Sequence, residues 1–423
     1  MAHSVHKLCQ PEVTSGGGDC PTRPQNQPGQ LIGNRSRHKG TVAATGHGRL
    51  GRQLSYSART LVALTSFAAL PAFSALTPEG WRLAEPGYEF RFPQDDGPHP
   101  DYQTEWWYLT GNLQTAEGRE FGYELTFFRY GYRSPGQRTP VKSRFVMDDV
   151  KFAHFTITDV RSGDFHVSER TSRGAYGDAG FLSGSHLAWI GDWELNPGKQ
   201  FEAKAENADS AIDLELLPEK QPVLQGQNGY SKKASSGDHA SEYYSITRMR
   251  TQGSLVVAGQ KFQVSGLTWY DREWSTNQLA PDQVGWNWFG IQLDDGSDLM
   301  IYQIRFRDGA IDQCSSGKWI DRDGQAVDVA YGEFVLQPTR FWTTPDKRAT
   351  YPIGWHLKIE KLGLEVDIST PVENQELNVG VRYWEGCVRV RGTEREHPVN
   401  GKGYLELTGF AGGMPGVGEA SAK

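Results

Sequence analysis

From residue 80 onward the chain alternates short apolar and aromatic runs with turn-forming clusters, and long helical stripes and heptads are absent. EWWYLTGNL (105–113) and FGYELTFFRYG (121–131) are divided by QTAEGRE, and GWNWFGIQL (285–293) and LMIYQIRFR (299–307) by DDGSD. Each pair reads as a β-hairpin: a Trp-rich strand, an acidic glycine-containing turn, then an aliphatic and aromatic strand with arginine near its end. The hairpins lie about 180 residues apart, a weak internal repeat that points to two related β domains in tandem. Further strands are predicted at 149–159, 254–257, 261–274, 331–337, 354–360, 363–369, 381–391 and 402–409. Roughly eight strands in each half, with few helices, fit barrels or strongly curved sandwiches better than a parallel α/β sheet. The stretch 216–249 has a centre rich in Gly, Ser, Lys and Asp and reads as a long loop. A boundary is expected near residue 240, giving domains of 80–240 and 241–415.

One run strains this pattern. In SGLTWYDREWSTNQL (265–279) six consecutive residues, Trp269 to Trp274, are aromatic or charged. As a strand it places Trp269, Asp271 and Glu273 on one face and Tyr270, Arg272 and Trp274 on the other, so neither face is purely apolar. Two environments fit. A cavity-lining barrel strand would leave Asp271 partly desolvated beside Trp269, which raises a carboxyl pKa and makes a proton donor. The rings could also stabilise a developing cation, and an acid among rings is what protonation of an alkene requires. Alternatively, Asp271 or Glu273 pairs with an arginine and ties a corner between the domains. Arg272, adjacent in sequence, would favour an ionised Asp271. Two other strands also set an acid beside tryptophan: Glu105 with Trp107, and Glu385 with Trp384. For Glu105 and Glu385 the expected role is to satisfy buried arginines or backbone amides.

Length and charge narrow the classes. The 423 residues allow two or three domains. A net charge of −7 leaves no large basic patch, so nucleic acid is not an expected partner. Residues 1–48, rich in Gly, Pro, Gln, Arg and His, are expected to be a disordered extension or a misassigned start. Residues 49–75 have the order of a secretory signal: Arg49, Arg52 and Arg59, an uncharged run from Thr60 to Pro78, and small residues at Ala72, Ser74 and Ala75. Cleavage near Ser74 and export to the periplasm or medium are expected, with a membrane anchor as the alternative. Cys314 and Cys387 then remain, as a disulfide or as two buried thiols. His99, His154 and His356 are expected to be structural. After residue 75 there is no nucleophile elbow, P-loop, dinucleotide fingerprint or Cys/His zinc spacing, and no metal or organic cofactor is expected.

DYQTEWWYLTGNL, QGQNGYSKK, YYSITRMRTQGSL, SGLTWYDREWS, GWNWFGIQLDDGSDLMIYQIR, YWEGCVRVRG and GKGYLELTGF, in this order over roughly 85–411, resemble the AttH-like family, which includes hydroxyneurosporene synthase, the carotenoid 1,2-hydratase. The resemblance implies an all-β fold of two tandem lipocalin-like β-barrel domains in an exported bacterial protein. Some relatives are encoded beside permease components, which implies a membrane transport system as a possible partner of a carrier. In the carotenoid hydratases an acid in a Tyr-x-Asp setting protonates the terminal double bond and water adds to the cation. Asp271 matches that acid, with Trp269 where Tyr is expected, and Glu242-Tyr243-Tyr244 falls where the family has His-x-Trp. The implied catalytic set is Asp271 as general acid with Tyr270, Glu273 and Glu242. The implied wall for a hydrophobic ligand, isoprenoid or lipid, is Trp269, Tyr243, Tyr244, Trp107 and Trp288. The same cavity in a non-catalytic carrier is the alternative.

Overall fold

The structure is a computed structural model that describes residues 75–139 and 145–412. The expected extension (1–48) and signal (49–75, except Ala75) lie outside the described residues. The first sheet has thirteen strands: β1 (Thr104–Gln114), β2 (Glu120–Gly131), β3 (Asp149–Asp159), β4 (Asp164–Ser172), β5 (Ala179–Phe181), β6 (Ala188–Ile190), β7 (Trp193–Asn196), β8 (Phe201–Glu206), β9 (Ala211–Pro218), β10 (Val223–Leu224), β11 (Tyr230–Lys232), β12 (Ala240–Val257) and β13 (Gln260–Asn277). The second has ten: β14 (Gln283–Leu293), β15 (Asp298–Phe306), β16 (Ser316–Ile320), β17 (Ala326–Val329), β18 (Val335–Thr343), β19 (Thr350–Ile359), β20 (Leu364–Ser369), β21 (Glu376–Asn378), β22 (Arg382–Glu394) and β23 (His397–Leu407).

Both sheets follow one plan. β1 pairs with β2 and with the last strand of its sheet, β13; β14 pairs with β15 and with the last strand of its sheet, β23. The two Trp-rich hairpins therefore hold equivalent places, and the fold is all-β and lipocalin-like in both halves. The first sheet curls until β4 meets its far end, where Arg170 Nη1 donates to the Ile190 carbonyl at 3.1 Å. The sheets change over between Asn277 and Gln283, whereas residue 240, the expected boundary, opens β12 of the first sheet.

Strand alternation assigns the cores. Trp107, Leu109, Tyr123, Phe155, Tyr270 and Trp274 point into the first sheet, and Phe289, Ile301, Trp355, Trp384 and Leu405 into the second. A third cluster, with Tyr108, Tyr243, Trp269, Trp288, Met300, Tyr302 and Tyr404, fills the space between the sheets. β1, β12 and β13 are thus covered on both faces. This is the environment that 265–279 demanded: Tyr270 and Trp274 belong to the first core, while Trp269, Asp271 and Glu273 face the second sheet.

The sheets meet closely. Lys220 Nζ and Arg248 Nη2, from the first sheet's side, each reach Asp298 of β15 at 2.7 Å. A Cβ on Gly122 of β2 would lie 2.8 Å from Cys387 Cβ of β22. Gly122→Ala should therefore force the sheets apart and lower stability by about 2 kcal/mol, read as a lower urea midpoint. An unchanged midpoint would show that this contact yields freely.

Candidate active site between the sheets

The cleft between the sheets is lined by Trp106, Tyr108, Phe128 and Tyr243 from the first and by Trp286, Trp288 and Tyr302 from the second, with Asp271, Glu273, Lys233 and Glu406 among them. It holds about 90 Å³, room for a few waters or for one end of a larger molecule. Asp271 is only 4% exposed. Three neighbours donate to its carboxyl: Tyr243 Oη to Oδ2 at 2.6 Å, Ser245 Oγ to Oδ1 at 2.5 Å and Trp269 Nε1 to Oδ1 at 2.7 Å. Burial raises its pKa more than these donors lower it, and the carboxyl is pushed up to about 7. Trp288 Nε1 in turn donates to Tyr243 Oη at 3.1 Å, so the opposite sheet braces the group that holds Asp271.

Other acids face the same space. Glu273 Oε1 lies 2.9 Å from Lys233 Nζ and accepts from Gln278 Nε2 at 3.1 Å and from Ser241. Glu406 accepts from Trp286 Nε1 at 2.9 Å and is pushed up to about 8 by burial, with the charges of Glu124, Glu273 and Asp271 adding to the rise. Glu385 does not line the cleft but accepts from Tyr108 Oη, which does, at 2.7 Å, and its pKa is raised well above the usual range by burial and by Glu124. Tyr383 Oη donates to Glu124 at 3.1 Å and sits 2.8 Å from His154 Nδ1. These carboxyls come from both sheets. Raised pKa values let Asp271 and Glu406 carry protons near neutral pH, as acid–base chemistry at that pH requires. Among the described residues no group of three or more His, Cys, Asp or Glu is arranged to hold a metal ion.

Of the residues named from sequence, the structure brings Asp271, Glu273, Trp269, Tyr243 and Trp288 together. Tyr270, Tyr244 and Trp107 belong instead to the first core, on the far face of the same strands. Glu242 shares that far face; its Oε1 accepts from the Glu85 amide at 3.1 Å, and burial raises it to about 7 without bringing it to Asp271. These four are corrections, and their cause is the period of two along β1, β12 and β13. The same rule corrects the expected influence of Arg272. It lies 3.7 Å over the Trp107 ring and binds Glu105 Oε2 at 2.5 Å, behind the sheet from Asp271. Glu105 is bound by buried arginines and a backbone amide, as expected, and Glu385 is fully buried and accepts from Tyr108. Cys314 and Cys387 are free thiols rather than a disulfide. Sequence reasoning missed Lys233, Glu406, Tyr108 and Tyr383. The one usable signal was Glu406, the acid between Leu405 and Leu407 in a quoted motif.

The AttH-like family model matches residues 83–410. An AttH-type protein from Nitrosomonas europaea, of known crystal structure, is 31% identical, covers 78% of this chain and 99% of its own, and superposes with a TM-score of 0.70. The structure of kievitone hydratase from Nectria haematococca superposes at 0.59 with 16% identity, over 79% of this chain and 97% of its own, which shows the fold alone. In sequence, kievitone hydratase of Fusarium solani subsp. phaseoli is 28% identical over 172 residues, 39% of this chain and 48% of that protein. Dehydratase asqC of Emericella nidulans is 22% identical over 220 residues, 48% of this chain and 60% of that protein. The chain thus spans about half to three-fifths of the curated relatives it matches. With the family model covering both sheets and the cleft between them, the chain belongs to the AttH-like family.

Proposed function

We propose that this protein is a hydro-lyase, adding water to a carbon–carbon double bond of an apolar small molecule held in the cleft, or removing it in the reverse sense. The observation that carries this is Asp271, a buried carboxyl with a pKa near 7 that faces an aromatic cleft between the sheets. In hydration Asp271 gives its proton to one carbon, the π pair forming the new C–H bond. The oxygen of water bonds to the other carbon. The spare proton passes to Glu273, which is ion-paired with Lys233. Glu406, held protonated by burial, presents a donor rather than a charge to an apolar substrate. A hydratase and a dehydratase among the sequence relatives support the same reaction class.

The test is a panel of aryl and isoprenoid alkenes, with the matching alcohols, incubated with the full chain in heavy-oxygen water. Incorporation of one labelled oxygen with one solvent hydrogen on carbon is expected. Binding of the panel, seen as quenched tryptophan fluorescence, without incorporation into any member would replace this reading with that of a carrier.

A further inference from the structure

Lys233 is the cleft group that the reaction above uses least. It sits in the loop between β11 and β12. Its amide donates to the His239 carbonyl at 2.8 Å, and its carbonyl accepts from Gln283 Nε2, at the start of β14, at 2.9 Å. The loop is therefore fixed against both sheets. The residue is only 9% exposed. Burial lowers its pKa, but the charge of Glu273 more than compensates, and the group is an ammonium.

An ammonium has three N–H donors. One points to Glu273 Oε1 at 2.9 Å. On its other sides lie the rings of Tyr243 and Tyr302, with centroids 5.1 and 5.0 Å from Nζ. Among the described residues no other carboxylate, carbonyl or hydroxyl accepts from Nζ. Trp286, Trp288, Tyr108, Tyr383 and Gln278, which share the cleft, each already donate within the protein. A hydrocarbon that displaced water from Nζ would strand charged donors, at a cost of about 1–3 kcal/mol or more. A ligand with an oxygen there would not. A formal anion is disfavoured by the Glu273 carboxylate, which already pairs with Nζ. A neutral oxygen that gains negative charge during the reaction suits a single ammonium held beside a carboxylate.

We propose that Lys233 binds a carbonyl oxygen of the substrate, and that the substrate is an α,β-unsaturated carbonyl compound on an aromatic or other apolar body, or its β-hydroxy hydrate. This rests on the hydro-lyase reading. Tyr243 connects the two groups, its ring lying against Nζ and its hydroxyl on Asp271. An oxygen at Nζ brings the α-carbon, two bonds away, toward the acid. Water's oxygen then bonds to the β-carbon, and the π pair shifts toward the carbonyl oxygen at Lys233. The α-carbon takes the Asp271 proton, and Glu273 takes the proton that water sheds. Enone plus water gives the β-hydroxy ketone, with no oxidant or reductant.

The test uses benzylideneacetone and its oxygen-free analogue phenylbutene with the full chain. Affinity is read from quenching of tryptophan fluorescence and hydration from heavy-oxygen incorporation. Wild type should bind the ketone at least about tenfold more tightly than the hydrocarbon, and only the ketone should gain label. Lys233→Met should lose the ketone preference while still binding the hydrocarbon. Should that variant fail to fold with Glu273 left unpaired, Lys233→Met with Glu273→Gln removes both partners and answers the binding question. Equal affinities in wild type, or a preference that survives both variants, would overturn the assignment. Labelling of phenylbutene as fast as of the ketone would overturn it and leave the hydro-lyase reading standing. A Lys233-dependent ketone preference with no label in either compound would overturn the hydro-lyase reading and with it the substrate's role as reactant, leaving Lys233 as a carbonyl-binding group.

Discussion

Asp271→Asn is expected to lower turnover about a thousandfold with the fold retained, because an amide of the same shape cannot deliver a proton to carbon. Its oxygen can still accept from Trp269 and Ser245, and the Tyr243 hydroxyl need only turn. The pH profile gives a sharper check. With a pKa of about 7, hydration requires the protonated acid and should fall as pH rises through about 7. Dehydration requires the carboxylate and should fall as pH drops through the same value. Stability should respond with a fixed sign. The folded pKa is raised from 3.8, so the stabilisation is complete below 3.8 and is lost as pH rises through about 7. That loss is on the order of 4 kcal/mol for a carboxyl this well buried. Asp271→Asn carries no charge, so in urea it should unfold like wild type near pH 3 and increasingly later than wild type as pH rises to 9. Undiminished turnover in this variant would remove Asp271 from the chemistry. An earlier urea transition than wild type at pH 9 would show that its ionised form is held by a partner.

Glu105→Ala should be the most destabilising single truncation on the far face of the same strands, at about 3–5 kcal/mol. Glu105 is fully buried. Arg129 Nε reaches Oε1 and Arg272 Nη2 reaches Oε2, both at 2.5 Å, and the His99 amide donates to Oε2 at 2.9 Å. Arg272 is further held by the Gly97 carbonyl at 2.6 Å and by the ring of Trp107. Losing the carboxylate strands two guanidinium groups inside the first sheet, where water cannot reach them. Burial raises the Glu105 pKa, but Arg129 and Arg272 outweigh it and hold the carboxyl well below 4.5. Its contribution is therefore complete above 4.5 and is lost as pH falls through the folded value, so the cost of Glu105→Ala should shrink in strong acid. A denaturant-measured cost below about 1 kcal/mol at pH 7 would mean that the arginines find other partners.

Much of the scaffold was legible because its signals are local. The two Trp-rich hairpins, the 149–159 strand and the 261–274 strand were read from alternation and turn residues, and the structure has them within a few residues. The strands between Asp164 and Pro218 were missed. They are short and charged on their outer face, as in FEAKAE and AIDLELLP, and their alternation passes for loop composition. The boundary near 240 followed a loop-like composition, but composition does not report pairing, and β12 and β13 complete the first sheet.

The candidate site divides along the same line. Sequence by itself determined that β13 carries Asp271 and Glu273 on one face and Arg272 on the other, because side-chain direction in a strand has a period of two and needs no partner. It could not determine which face is covered by what. That depends on a second sheet whose contacts come from far along the chain, 45 residues where Trp288 braces Tyr243 against Asp271 and 277 where Tyr108 reaches Glu385. Glu406 between two leucines looks like a solvent-facing acid until the first sheet covers it, and Lys233 looks like one more loop lysine until Glu273, Tyr243 and Tyr302 surround it. Burial sets the pKa of an acid and the value of an unmet donor, and burial here is a property of the packed pair of sheets rather than of either strand sequence.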